Sequence, residues 1–533
     1  MLAKGRSFAR RGGVLWGRAG AAGCAKLSDR GFVKFILTLV GVIVTNSCVA
    51  GDFCVICSAV APHMATRQWL LVALAFIEVL TATGIMFGWS AMSLALQREG
   101  AYAELCNNLT ATESACDAQT IRLNVVYGAG ATAIPFSMFV WGPAMDRWGA
   151  RGVRICGLLI FTTGTLLFAL SPWNAKTLLD AYTLAGALIS TGGAGFFLSH
   201  FIIAEHFRSD GTFGLVHTLI NGAFDSSTVT MVVLESAHGA GLSIQGCFLC
   251  LSGLGGLYLA LTSDLVWRGM LSPPRAPSHT SEERPRELEA EIHEGKKSHF
   301  VGPMNLSHLS VKEQFRSPHF IGLAVWALIT IFRTMLVLGT IGPQLQYNGG
   351  GRDARHVDQL VRSFNWLILC SAPAGPLFGR LLDRFGAAAG FLMVNMLGIL
   401  AFLGIGLCES SSDADVALGF AFVVYGCFRA FNYATMTSYV QGVFGHASFG
   451  TLYGIGIGTM AVIGAVAQSP VTAWALGNIA TGTWGSFAPL DVGIVLISVV
   501  LFILPAWIVW MKFRGSSLRG RSPTATAGAY NAA

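Results

Sequence analysis

Two short charged stretches carry most of the information about the fold of this chain: GPAMDRWGARGVR at residues 142–154 and GRLLDRFGAAAG at residues 379–390. Both place a glycine, an aspartate and a second glycine at the same spacing. Glycine permits a tight turn between helices, and aspartate can accept hydrogen bonds from a helix N-terminus or pair with arginine. The repeat therefore predicts a conformational latch present twice. Its residues are Gly142, Asp146, Arg147, Gly149 and Arg151 in the first copy and Gly379, Asp383, Arg384 and Gly386 in the second.

The composition around these stretches is that of a membrane protein. The chain has 533 residues, of which 53% are hydrophobic and only 12% are charged. Soluble domains carry about 25% charged residues. The net charge of +7 comes from short basic clusters between apolar runs, which is typical of membrane flanks rather than of nucleic-acid binding.

Twelve apolar runs are long enough to cross a bilayer, which takes about 20 residues. We number them spans 1 to 12. They lie at 69–96, 121–141, 155–171, 179–203, 213–235, 240–262, 319–343, 361–379, 387–408, 415–440, 449–475 and 489–511. The sequence therefore predicts an all-α polytopic membrane protein.

The spans fall into two halves of six, and each charged turn follows the second span of its half. Such duplication is typical of transporters that work by alternating access. The predicted organisation is an N-terminal extension at 1–68, a six-helix bundle at 69–264, a largely disordered cytoplasmic loop at 265–318, a second bundle at 319–512 and a cytoplasmic tail at 513–533.

The distribution of basic residues predicts the orientation. With both charged turns in the cytoplasm, the cytoplasmic connections and tail hold eighteen Lys and Arg, Arg154 among them, and the outer loops and span edges hold six. This bias agrees with the positive-inside rule. When the charged residues are sorted into loops and spans in this way, four remain inside predicted spans: Glu78, Asp225, Arg333 and Arg429. Such charges either line a transport pathway or form structural ion pairs, and the sequence leaves both readings open.

The G-x-x-x-D-R-x-G pattern between spans 2 and 3 and between spans 8 and 9 resembles the major facilitator superfamily. Residues 76–106, 192–207, 219–229 and 423–458 further resemble solute carrier family 43, the facilitative neutral amino-acid transporters, and related apicomplexan and fungal amino-acid permeases. The resemblance implies the twelve-helix major facilitator fold in two pseudo-symmetric bundles. It also implies gradient-driven transport of large neutral amino acids.

A neutral amino acid is a zwitterion with an apolar side chain. Its carboxylate needs arginine, hydroxyls or free amides, its ammonium needs a carboxylate, and its side chain needs an apolar pocket. Asn221, Asp225 and Thr228 share one helix face and would form a polar stripe. Phe431 is a further candidate for lining the pocket. The substrate-site candidates are Asp225, Ser226, Ser227, Asn221, Arg429, Tyr433, Gly88, Trp89, Glu78 and Arg333.

Enzyme chemistry finds no support in the sequence. The twelve cysteines form no paired metal-ligand motif, and no nucleophile elbow, metalloprotease or phosphate-binding loop motif is visible. We expect no catalytic residues, metal or cofactor. His200, His206 and His217 fit packing or loop roles better than a proton relay. The expected partners are a small-molecule substrate and the lipid bilayer, with no nucleic acid. The plasma membrane is the favoured location, and an organellar membrane is the alternative.

The first outer loop, residues 98–119, contains Cys106 and Cys116 on the oxidising side of the membrane. We predict that they form a disulfide, and that Asn108 in the sequon Asn-Leu-Thr is glycosylated. Non-reducing mass spectrometry of the loop peptide should find the two cysteines linked. Free thiols at both positions would exclude the disulfide. Asn305 lies in a second sequon, on the cytoplasmic side, and is not expected to be modified.

Three alternatives stay open. The chain could carry another solute, such as a sugar or an organic anion, possibly coupled to protons. It could instead be a nutrient-sensing receptor that keeps the fold without transporting. The third concerns residues 1–68, whose basic start and apolar run at 35–61 would invert every loop if they spanned the membrane. The segment either lies on the membrane or is absent from the mature protein, and we favour a start at Met64 or removal of the upstream part.

Overall fold

The structure is a computed structural model, and it describes residues 65–106, 117–171, 180–263, 305–348, 353–368, 371–407 and 412–519. The chain divides into two units between Leu70 and Leu71, and of the first unit only residues 65–70 are described. No β-strand occurs in the described residues. Residues 1–64, Asn108 and Cys116 lie outside them, so the predictions for the N-terminus and for glycosylation are not addressed by the fold.

The first half of the chain is built from helices separated by short turns. Their bounds are Ala65–Ala82, Trp89–Arg98, Asp117–Leu170, Ala181–Ser199, Ile202–Glu205, Phe213–Ser226, Thr228–Gly239 and Ile244–Ser263, with 3-10 turns at Ile85–Gly88 and Ala103–Leu105. The long helix Asp117–Leu170 bends at Gly149, whose φ of 72° is a conformation that glycine tolerates best.

The second half repeats this arrangement after a short helix. Its α-helices are Val311–Arg316, Pro318–Asn348, Ala354–Leu367, Ser371–Phe385, Ala387–Gly406, Ser412–Phe444, Phe449–Thr451, Gly458–Ala480, Ala488–Ile497 and Ile503–Arg519. A π-helical turn at Leu452–Ile457 and a 3-10 turn at Ser498–Phe502 continue spans 11 and 12. Gly386 precedes span 9 with a φ of 82°, which matches the bend at Gly149 in the first half.

Eight helices in the described part are long and apolar enough to span a membrane. One of them, Ile121–Leu170, contains predicted spans 2 and 3, so the eight account for nine of the twelve predicted spans. Spans 1, 5 and 8 are the other three. Spans 1 and 5 are each built from two shorter helices, while span 8 is described as Ala354–Leu367 and Ser371–Phe385, with residues 369–370 outside the described part. The twelve-segment prediction therefore holds for the helices, and at least two of the segments are interrupted.

The interruptions of spans 1 and 5 face each other. A Cβ on Gly84 would lie 2.8 Å from Ser227 Oγ, and one on Gly88 would lie 2.3 Å from the Thr228 carbonyl oxygen. Thr230 Oγ1 also donates to the Leu80 carbonyl at 2.9 Å. Only glycine allows the two backbones to approach this closely. The break at Ser227 also separates Thr228 from Asn221 and Asp225, so the three do not form the single helical stripe that the sequence predicts.

A polar cluster joins the first loop to spans 2 and 4. Asp180 caps the helix Ala181–Ser199 by accepting the Thr183 amide at 2.8 Å, receives the Tyr102 hydroxyl and pairs with Arg122 Nη2 at 3.1 Å. Cys106, at the end of the described part of the loop, is disulfide-bonded. Its pairing with Cys116 stays a prediction.

The end of the long central segment is ordered. Leu306 donates its amide to the Val443 carbonyl at 2.8 Å, which attaches the segment to the end of span 10. The helix Val311–Arg316 then begins with a capping box between Ser310 and Glu313. Hydrogen bonds from Ser310 hold the pKa of Glu313 below its usual range.

Candidate functional site

The two charged turns form the same contact twice, each time across the two bundles. Asp146 accepts the amides of Gly450 and Thr451 at 2.8 and 2.7 Å, at the start of span 11. Asp383 accepts the amides of Gly214 and Leu215 at 2.6 and 3.0 Å, at the start of span 5. Each carboxylate therefore binds a helix N-terminus of the opposite bundle, where negative charge is favoured. We call the side of the membrane with these contacts the latch side.

These carboxylates replace the caps that the two helices lack. Thr212 and Ser448 occupy the N-cap positions of spans 5 and 11, but neither side chain makes a capping hydrogen bond. An N-cap side chain normally accepts from the second or third amide of the helix. Asp383 and Asp146 take both of those amides from across the interface. These two amides at each helix start therefore have a carboxylate acceptor only while the bundles are in contact.

Glycine makes this contact possible. A Cβ on Gly142 would lie 2.4 Å from the Gly450 carbonyl oxygen, and one on Gly379 would lie 2.5 Å from the Leu215 Cα. Arg147 and Arg384 are exposed beside the carboxylates, and Arg151 is half-buried. The predicted latch residues therefore lie at two equivalent closed contacts.

A second layer of contacts lies at the same end of spans 5 and 10. Arg208 Nη2 donates to the Gln441 carbonyl at 3.1 Å, and Gln441 Nε2 donates to Glu205 Oε2 at 3.0 Å. Arg208 also pairs with Glu205 at 2.6 Å. The loop between spans 4 and 5 is thereby held against the end of span 10, and the latch side is closed.

Deeper in the membrane, spans 5 and 10 meet along two antiparallel polar rows. His217, Asn221 and Asp225 follow one face of span 5 at intervals of four residues. Thr437 accepts the Asn221 amide at 3.1 Å, and its hydroxyl lies 3.1 Å from His217 Nδ1. We call this set the interbundle stripe; it comprises His217, Asn221 and Asp225 of span 5 and Gln441, Thr437 and Arg429 of span 10. His217 is thus buried in this interface.

The stripe ends in an ion pair between the bundles. Arg429 Nε lies 3.1 Å from Asp225 Oδ1, and the two residues are 5% and 2% exposed. Neither Asp225 oxygen accepts a hydrogen bond of normal geometry. The pair therefore has Coulombic attraction but unsatisfied hydrogen-bonding capacity, which is costly in a buried site.

Aromatic side chains surround the Arg429 guanidinium. The Phe87 ring, from the interrupted part of span 1, lies 5.4 Å below it. Tyr127, Tyr425 and Tyr433 are close enough to interact with its charge. Tyr127 and Tyr433 are half-buried. Tyr127 and Phe87 were not among the sequence candidates, because nothing in the sequence places spans 1 and 2 opposite span 10.

Of the other candidates, Ser226 and Ser227 are buried beside Asp225, and the Ser227 hydroxyl donates to the Phe224 carbonyl at 2.6 Å. Gly88 lies in the break of span 1 described above. Trp89 packs edge-on against Phe168 in the core of the first bundle. Phe431 stacks on Phe378 with ring centroids 4.1 Å apart.

Glu78 belongs to a separate buried cluster within the first bundle. Its carboxylate binds Arg154 Nη2 at 2.5 Å and His200 Nε2 at 3.0 Å, and Arg154 Nε donates to Thr262 Oγ1 at 2.5 Å. Glu78, Arg154 and His200 are fully buried. The assignment of Arg154 to a cytoplasmic loop is therefore wrong. The residue lies one turn beyond Gly149, where it neutralises an acid that the sequence left without a partner.

Arg333 lies inside the second bundle. Its Nη1 donates to Asn395 Oδ1 at 3.0 Å, and its guanidinium packs on Phe428 and Phe402 at 4.8 and 5.5 Å. The contacts of its guanidinium are with spans 9 and 10 of its own bundle. The structure thus brings together Asp225, Arg429, Asn221 and Tyr433 and places Glu78 and Arg333 in other clusters.

Loss of the buried acid in the Glu78 cluster should have a clear effect on stability. Glu78→Gln leaves Arg154 without a counter-charge, and removing one partner of a buried pair costs about 3–5 kcal/mol. We expect a lower melting temperature of the purified protein. Glu235→Gln is the matched control, since Glu235 pairs with Arg98 at 3.7 Å on the surface and should contribute less than about 1 kcal/mol. Equal melting temperatures for the two variants would contradict this assignment.

Two helical bundles, a closed latch side and a buried charged interface between them are the features of a membrane transporter. The Major Facilitator Superfamily model matches residues 71–469, and the chain belongs to that family. It is a multi-pass integral membrane protein and not an enzyme.

Comparisons with known proteins agree on this class. The equilibrative nucleobase transporter 1 of Bos taurus is 24% identical over 425 residues, covering 73% of this chain and 86% of the relative. The human large neutral amino acids transporter small subunit 3 is 27% identical over 210 residues, covering 38% of this chain and 37% of the relative. A solved proton:xylose symporter, XylE, shares the fold with a TM-score of 0.54 at 12% identity, covering 82% of this chain and 95% of its own.

Proposed function

We propose that this protein carries neutral amino acids across the plasma membrane by alternating access. The observation that supports this most directly is the Asp225–Arg429 pair, which joins the bundles at the inner end of the interbundle stripe. A zwitterion carries the same two charges. Its ammonium would bind Asp225 and its carboxylate would bind Arg429, in the bidentate geometry that guanidinium favours.

The pair is suited to exchange for a substrate. Both Asp225 oxygens lack hydrogen bonds, and an ammonium group would supply up to three donors. Substrate binding would therefore satisfy carboxylate oxygens that accept no hydrogen bond within the protein. Each end of the substrate would also engage a different bundle, so that binding replaces the direct ion pair with a bridge through the substrate.

The aromatic surroundings are consistent with an apolar substrate side chain. Phe87 lies beside Arg429, and Tyr127 and Tyr433 are half-buried nearby. Aromatic and apolar surfaces around a few polar groups are typical of small-molecule sites. This arrangement favours large apolar amino acids over small or charged ones.

A nucleobase is the second candidate substrate. The relative that covers 73% of this chain is named a nucleobase transporter. A planar base could stack on Phe87 and use Asp225 and Arg429 as acceptor and donor for its edge. The two candidates differ in charge, since a nucleobase is uncharged where an amino acid has two full charges.

Uptake into proteoliposomes tests the proposal. Purified protein should give saturable uptake of labelled leucine or phenylalanine, which unlabelled substrate inside the vesicles accelerates, while protein-free liposomes give none. Uptake of adenine without leucine or phenylalanine would favour the nucleobase reading. Binding of leucine without uptake would favour a receptor, and inactivity towards all of these would support another solute such as a sugar or an organic anion.

A further inference from the structure

A buried acid that the transport site does not use lies at the end of the second bundle opposite the latch side. Asp491 is in the first turn of the helix Ala488–Ile497 and is 2% exposed. Asn348 lies beside it, but neither carboxylate oxygen accepts a hydrogen bond of normal geometry. A buried ionised carboxylate without compensation is strongly disfavoured.

Two helix C-termini converge on this carboxylate. A Cβ on Gly406, the last residue of the helix Ala387–Gly406, would lie 2.8 Å from Asp491 Oδ2. Asn348 is the last residue of the helix Pro318–Asn348, and its side chain bridges the Ile405 carbonyl at 3.3 Å and the Phe487 amide at 2.8 Å. Helix C-termini carry partial negative charge, which repels an anion and attracts a cation.

No Lys, Arg or His among the described residues forms an ion pair with Asp491. Its own helix N-terminus offers a partial positive charge, but the C-termini of spans 7 and 9 oppose it. The described residues of the helices Pro318–Asn348 and Ala387–Gly406 include three titratable groups, all on span 7: Tyr347 next to Asn348, Arg333 about four turns before it, and His319 at the latch-side end. Arg333 lies deeper in the membrane than Asp491. Its partner Asn395 donates to the carbonyl of Ser498, which is two turns, or about 10 Å, beyond Asp491 on span 12.

We propose that Asp491 is a binding site for a monovalent cation, a proton or a sodium ion, at the ends of spans 7, 9 and 12. A proton would neutralise the carboxylate. A sodium ion would add oxygen contacts from the carboxylate and from the carbonyls at the helix ends, a combination that membrane transporters use for cations. Either ion would hold the three helix ends together, and the site is independent of which substrate the protein carries.

Thermal stability gives a readout that does not depend on transport. If the folded protein holds a cation at Asp491 more tightly than the unfolded chain, acid or sodium stabilises the fold, so the melting temperature rises as pH falls or as sodium is added. Purified wild type would be compared from pH 8.5 to pH 5 in choline chloride, and at pH 8 with sodium chloride replacing choline chloride. We expect a rise of at least about 2 °C in one of the two series.

Asp491→Asn should remove that rise, because asparagine resembles the protonated acid and cannot gain a charge-neutralising ion. Asp353→Asn is the matched control, since Asp353 is an exposed N-cap residue without a capping hydrogen bond, and it should respond like wild type. A response to acid alone identifies a proton, and a response to sodium at pH 8 identifies sodium.

The proposal is overturned if wild type responds to neither ion or if Asp491→Asn keeps the full response. Should Asp491→Asn fail to fold, Gly406→Ala replaces it, because its methyl group would lie 2.8 Å from the carboxylate oxygen. An unchanged response in a folded Gly406→Ala protein would equally overturn the proposal.

Discussion

Asp225→Asn and Arg429→Gln should each abolish transport while leaving protein levels near those of wild type. Each change removes one charge from a buried pair that we place at the substrate, and loss of one partner of such a pair costs about 2–5 kcal/mol, or roughly 30-fold to more than 1,000-fold in binding. The measurement is uptake by each variant in proteoliposomes, normalised to reconstituted protein.

A charge exchange separates a substrate role from a structural one. In the Asp225→Arg, Arg429→Asp double variant, an ion pair can still join spans 5 and 10, but each end of the substrate meets the wrong bundle. A structural pair should tolerate the exchange, with uptake at least partly restored. A pair that binds the substrate should not tolerate the exchange, and uptake should stay abolished. If the single variants transport normally, or if both fail to reach the membrane, a structural pair is the better account.

Gly142→Ala should prevent closure of the latch side. The added methyl group would lie 2.4 Å from the Gly450 carbonyl oxygen, which is a backbone atom and cannot rotate away as a side chain could. Overpacking of this kind costs about 1–3 kcal/mol, which lowers the closed population by roughly 5-fold to 150-fold. Uptake should fall accordingly, while the protein still folds, because the clash exists only when the bundles meet.

Spin labels report the same change directly. Labels at Ser209 and Lys312, exposed positions on the latch side of the two halves, should lie farther apart in Gly142→Ala than in wild type. Gly128→Ala is the matched control on the same helix, since a Cβ there meets nothing within 4 Å. Equal label distances in all three proteins would show that Gly142 does not limit closure.

Several features of the fold follow from the sequence alone. The spacing of Asp146 and Asp383 within two equivalent turns predicts a carboxylate that contacts either a helix N-terminus or an arginine, and both residues accept amides at a helix N-terminus. Hydropathy also identifies Asp225 and Arg429 as charges within spans. These predictions work because they depend on local chemistry and on depth in the membrane.

Other features depend on which helices meet, and hydropathy does not supply that information. Arg154 lies close to a charged turn and reads as a loop residue, yet its neighbour across the bundle is Glu78. Asp491 lies at the start of span 12 and reads as a flanking charge, yet the ends of two other helices cover it. Tyr127 and Thr437 show no signal in the sequence, because their roles depend on contacts with Arg429 and Asn221 from the other half of the chain.

The interbundle stripe also couples closure to hydration. His217, Asn221, Thr437 and Gln441 are buried against one another, so when spans 5 and 10 separate, their polar groups must be satisfied by water instead. Separation of the two spans therefore admits water to this interface, and closure expels it again. Osmolytes that are excluded from protein surfaces favour the less hydrated state, so the balance between the two faces of the transporter depends on the activity of water as well as on its substrate.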